Sequence, residues 1–160
     1  MAEDRALHLV LDKRQSDEEK ALEDWVFCRN QVASYEKQIK QVEDFRMSYI
    51  AEMQNEGRMG LTGTKILAYQ AFIEKLDNIA LKQRQELQRL HMLTEQKRQI
   101  YLTRQKERKI IETLLEKHRI KRMKEEQRRE QKLLDEYVVA TYSRRQQAAA
   151  QAAAQQDYEY

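Results

Sequence analysis

Proline is absent from the 160 residues, and glycine occurs three times, at Gly57, Gly60 and Gly63, all within seven positions. With no other strong breaker in the chain, the backbone has one central turn between two uninterrupted segments. Cysteine is nearly as scarce: a lone Cys28 forms no internal disulfide, which fits a reducing compartment. No apolar run approaches membrane-spanning length. The start, with Glu3, Asp4 and the short stretch from Leu7 to Leu11, lacks the basic flank and apolar core of a signal peptide. Charge of one sign is also missing, since 30 Lys and Arg face 27 Asp and Glu for a net +3, so overall charge does not argue for nucleic acid. A soluble, cytosol-compatible chain is expected.

What is present is charge and glutamine. Charged residues make up 36% of the chain, and the apolar residues are scattered, a composition that buries a long seam and not a sphere. Alternate steps of three and four from Leu7 give Leu7, Leu11, Arg14, Glu18, Ala21, Trp25, Cys28, Val32, Tyr35, Ile39, Val42, Arg46, Tyr49 and Met53. Eleven of these fourteen are apolar or aromatic, the stripe of a coiled coil. A helix over about 5–55 would be about 75 Å long and needs a partner along that face.

Beyond a turn at about 56–63, with Thr64 as the expected N-cap, the same steps give Ile66, Tyr69, Ile73, Leu76, Ala80, Gln83, Leu87, Leu90, Thr94, Lys97, Tyr101, Arg104, Arg108, Ile111 and Leu115. The stripe is clean to Leu90. Leu93, Ile100 and Leu114 then fit a neighbouring frame, which predicts a phase drift. Charge selects the partner of the first helix. Residues 1–24 carry eight acids and four bases, whereas 96–119, which a hairpin lays beside them, carry eight bases and three acids. The expected fold is all-α: a long two-helix antiparallel coiled-coil hairpin within one domain, 1–145, monomeric in isolation. The second helix runs over about 64–143, with a C-terminal overhang from about Lys117. An Ala/Gln-rich tail, 146–160, is read as frayed or disordered.

Chemistry-bearing motifs are few. Gly57 and Gly63 enclose five residues and precede Thr64-Lys65, the reverse of the Lys-Thr order of a phosphate loop. Hairpin register brings Cys28 toward His91 and His8 level with His118, at most half a zinc site, so no metal and no cofactor are expected. A two-helix hairpin offers no enclosed cavity, and no catalytic residues are assigned; the chain is read as not an enzyme. Two surfaces stand out instead. Phe45, Ile50, Phe72 and Ile79 lie off the stripes near the turn, either completing local packing or forming a partner patch. The overhang is rich in bases, interrupted by Glu125, Glu126 and Glu130, and closes on Leu133, Leu134, Tyr137, Val138 and Tyr142. It reads either as a solvated helix or as a face for an acidic protein surface or pore.

Gln38-Ile39-Lys40 followed by Asp44-Phe45 and Tyr49, then Tyr69-Gln70-Ala71-Phe72-Ile73 with Leu76, and finally Glu130-Gln131-Lys132-Leu133-Leu134-Asp135-Glu136 carry a family likeness. In order, spacing and central turn, residues 5–145 resemble the FliJ family of the bacterial flagellar type III export apparatus. The resemblance implies a coiled coil similar to the stalk of the rotary ATPase γ subunit. Its terminal end would enter the export ATPase ring, and its closed end would face the export gate at the cytoplasmic side of the inner membrane. By matching position it implies a gate-contacting patch of Gln38, Val42, Phe45, Tyr49, Phe72, Leu76 and Ile79, and it implies binding of export chaperones. Ring docking is assigned to Arg119, Arg122, Arg128, Arg129, Lys132, Leu133 and Tyr137. The competing readings are a nucleic-acid-binding coiled coil tracking phosphates with 104–132, a generic self-assembling scaffold and, closer in architecture, the stalk of an injectisome. Interspersed acids and the lack of interleaved aromatics weigh against the first.

Overall fold

The computed structural model of the chain describes residues 2–158, so Glu159 and Tyr160 of the expected tail lie outside the described residues. Helix α1 (Ala2–Arg58) and helix α2 (Gly63–Tyr158) are joined by a turn at 59–62, and no strand occurs among the described residues. The protein is all-α, with the two helices packed as a hairpin. It divides into two units, His8–Ile110 and a second made of Met1–Leu7 with Ile111–Tyr160.

In the His8–Ile110 unit the helices run antiparallel. Every stripe position of α1 from Leu11 to Met53 is half-buried or buried, as is every α2 stripe position from Tyr69 to Arg108. Ala21, Cys28 and Ile39 of α1 and Leu76, Ala80 and Leu90 of α2 are the buried residues of the described chain, and all six lie on these stripes. Ile66 alone among the expected seam positions of this unit stands exposed. Trp25 stacks on Tyr101 with ring centroids 5.5 Å apart, which fixes the level of the two helices there.

Of the residues that set the expected phase drift, Leu93 is half-buried, but the stripe keeps its frame beyond Leu90. Ile100 and Leu114 are exposed, while Lys97, Arg104 and Arg108 keep the original frame half-buried. Long basic side chains can hold seam positions because their aliphatic stems lie on the partner helix and their heads find carboxylates. Arg14 Nη1 lies 3.1 Å from Glu107 Oε2, and Arg108 Nε donates to Glu18.

At the turn, Met59 N donates to Glu56 O at 3.1 Å and Gly60 N to Gly57 O at 3.4 Å, closing α1. Gly60 then takes φ 93°, the left-handed region where a side chain is strained. Ile66 N donates to Thr62 O at 3.1 Å, the first bond of α2. The residue at the helix entrance is therefore Thr62, and Thr64 lies inside the first turn.

In the second unit, the first turn of α1 lies against α2. Asp4 pairs with His118 Nδ1 at 3.0 Å and accepts a hydrogen bond from Arg122 Nη1. The expectation that α2 loses its partner from about Lys117 is corrected by these contacts. Helix α1 begins at Ala2, earlier than the apolar stripe indicates, and its acidic first turn reaches Arg122. From Met123 to Tyr158 every residue but Thr141 is exposed. The helix continues through 146–158 because Ala and Gln are strong helix formers and no breaker intervenes.

Candidate partner-binding surfaces

Near the turn, in the His8–Ile110 unit, helical spacing stacks aromatics from both helices. Phe45 and Tyr49, one turn apart on α1, have centroids 6.4 Å apart. Phe72 of α2 meets both, edge-on to Phe45 at 6.1 Å and tilted against Tyr49 at 4.5 Å. Tyr69, three residues earlier on α2, closes on Tyr49 at 4.9 Å. This packing leaves Phe45 53% exposed, a large aromatic supported from below and open above, the usual form of an interface anchor.

A shallow groove beside the cluster is lined by Gln38, Gln41, Val42, Phe45, Leu76 and Gln83. The structure thus brings four of the seven expected patch residues, Gln38, Val42, Phe45 and Leu76, to one groove, with Tyr49 and Phe72 joined through the rings. Ile79 stands exposed outside that groove. Sequence reasoning did not single out Gln41 and Gln83 for this surface. The covered Oε1 of Gln83 has no hydrogen-bond partner among the described residues.

Charges frame the other side of the hairpin at this level. Arg46 Nε lies 2.6 Å from Asp77 Oδ1, an ion pair without hydrogen-bond alignment, and Arg84 donates to Glu43. A hydrogen bond to Glu56, with partial burial added, pushes the Tyr69 phenol up to about 12.

The exposed part of α2 is the second surface. Of its expected docking residues, Arg119 pairs with Glu116 on its own helix at 2.7 Å, and Arg122 is held by Asp4. Arg128, Arg129 and Lys132 are exposed. Leu133 and Tyr137 are also exposed, at 66% and 68%, beside Leu134, Val138 and Tyr142. The hydrogen bond to His118, followed by the charge of Arg122, holds the Asp4 carboxyl below its ordinary range against partial burial.

Cys28 is buried in the seam, and His91 lies 3.8 Å from Glu36. Among the described residues no group of three or more His, Cys, Asp or Glu could hold a metal ion, and no helix is long and apolar enough to cross a membrane.

A family model described as flagellar FliJ protein matches residues 3–147 of the chain. No curated protein and no solved structure matches it.

Proposed function

The chain belongs to the FliJ family, which gives it a role in flagellar protein export, and from that premise we propose that it is the non-enzymatic central stalk of the export apparatus. The exposed bases and apolar side chains of α2 beyond Arg122 dock in the export ATPase ring. Phe45 and its groove contact the cytoplasmic domain of the export gate at the inner membrane, and export chaperones are bound and released by the same protein.

The observation that carries this reading is the long helix left uncovered after Arg122, from Met123 onward. An uncovered, charged helix with an apolar cluster fits a partner that surrounds it. The proposed action is thermodynamic: a rod that binds the assembled ring and not its free subunits shifts the equilibrium toward the ring by mass action. Contacting only some subunits of a ring at a time, it also biases their nucleotide states.

The test is ATP hydrolysis and oligomeric state of the cognate export ATPase with and without this protein, against a truncation after Arg122 that keeps the contacts of Asp4. Stimulated hydrolysis and ring formation that the truncation loses support the stalk. Absence of both with the full chain overturns it.

A further inference from the structure

Residues 117–132 carry eight bases and three acids, and in sequence the acids interrupt the bases. On the continuous helix α2 they separate. Lys117, Lys121, Lys124, Arg128 and Lys132 follow at steps of four, three, four and four. At 3.6 residues per turn they fall within about 80° of arc and extend about 22 Å along the axis. Glu126 and Glu130 lie on the opposite face, and Glu125 stands at the edge. All five bases are exposed, and none has an ion pair among the described residues; off the row, Arg119 and Arg122 are held by Glu116 and Asp4, and Arg129 is exposed. One flank of the row carries Ile120, Gln127, Gln131 and Leu134, which with Lys117, Lys121, Lys124 and Arg128 line two shallow grooves that Glu125 and Glu130 border.

We propose that this row is a one-sided docking face for a column of carboxylates on a protein partner. Charge complementarity selects an acidic partner. The flank selects a protein, since Ile120 and Leu134 ask for apolar contacts and Gln127 and Gln131 for amide or carbonyl partners. A duplex fits poorly: a helix in the major groove has phosphates along both sides, and here Glu126 and Glu130 would meet one of those walls. Stacking on single-stranded bases is unsupported, because no aromatic interleaves the row. The row deepens the ring-docking reading and rests on it for the physiological carrier of the carboxylates, while the chemistry of the face stands by itself.

The experiment uses the full chain, with the triple variant Lys121→Glu, Lys124→Glu and Arg128→Glu against an equal charge change off the row, Lys109→Glu, Arg144→Glu and Arg145→Glu. Binding to poly-L-glutamate and to a short DNA duplex is measured at low salt and at moderate salt. The row variant should lose about tenfold or more on poly-L-glutamate and the control less than about threefold. Equal losses mean net charge alone and overturn the proposal, as does tighter binding to the duplex than to poly-L-glutamate at matched charge concentration. With the export ATPase as a further probe, stimulation lost only by the row variant agrees with it. Stimulation kept by the row variant overturns the row as a docking face and leaves the stalk standing. A wild type that does not stimulate, yet binds poly-L-glutamate through the row, overturns the stalk and leaves the row.

Discussion

Glu18 of α1 accepts a hydrogen bond from Nε of Arg108 on α2, ninety residues away in the chain, and both side chains are largely covered, at 14% and 20% exposure. Arg14 and Arg46 are the other two charged positions of the α1 stripe, and each also faces an opposite charge, Glu107 and Asp77. The α1 stripe is thus apolar or aromatic wherever it is not paired. A slip of one turn would leave three half-covered charges without partners, so these pairs specify register more than they add stability.

Removing Glu18 costs Arg108 its bond across the seam. Glu18→Ala should destabilise the protein by about 1–3 kcal/mol in urea unfolding. Glu18→Leu combined with Arg108→Leu should cost less than either single change, while spin-label distances across the seam broaden as alternative registers become accessible. A double variant as unstable as Glu18→Ala would contradict the pairing.

The two glycines before the second helix should respond oppositely to alanine. At Gly60 the positive φ makes a side chain strained, and Gly60→Ala is expected to cost about 1–2 kcal/mol. Gly57 lies in the last turn of α1, and a methyl there meets only Leu61 Cδ1, at an ordinary 3.6 Å. Gly57→Ala should stabilise by roughly 0.5–1 kcal/mol. Thermal melts of the two variants give the comparison directly.

Tyr69 should be the late tyrosine of the ultraviolet titration. Its folded pKa, about 12, lies above the ordinary 10. The contribution of the Tyr69–Glu56 bond is therefore complete below pH 10 and is lost as pH rises through about 12. The difference titration of wild type against Tyr69→Phe should isolate this group, and Glu56→Gln should bring it down toward the other tyrosines. A Tyr69 that titrates with the rest in wild type would remove the Glu56 contact.

Leu76 and Phe45 line one groove but should separate stability from recognition. Leu76 is 7% exposed, and Leu76→Ala should cost about 2–4 kcal/mol. Phe45→Ala should cost about 1 kcal/mol or less, its ring being half in solvent already. If the groove is the gate-contacting surface, Phe45→Ala should nonetheless weaken binding to the isolated cytoplasmic gate domain at least about tenfold, measured by calorimetry on a variant whose helicity is unchanged.

The three-four stepping from Leu7 and the glycine cluster made the hairpin legible, because period and punctuation are local properties of a chain. The distal seam was less so. Lys97, Arg104 and Arg108 read as a fading stripe until the opposing residues are known, and only residue-level register shows Glu18 beside Arg108. The reach of Asp4 to His118 and Arg122 escaped for a related reason: an acidic first turn has no apolar periodicity to mark it. Of the surface near the turn, the aromatics were visible from spacing. Gln41 and Gln83 were not, since glutamine is abundant throughout and nothing in its neighbours distinguishes these two.

An unbroken covered stripe on α1 facing one on α2 limits how such a hairpin can change length. Inserting or deleting residues in one helix rotates and shifts everything beyond the edit relative to the other, and the charged seam pairs then meet the wrong neighbours. A change is absorbed only when both helices gain or lose whole heptads at the same level. Among chains that share this seam, size differences between the turn and the Glu18–Arg108 level should come in matched multiples of about seven residues per helix, with odd lengths confined to the turn itself or to the uncovered end of α2.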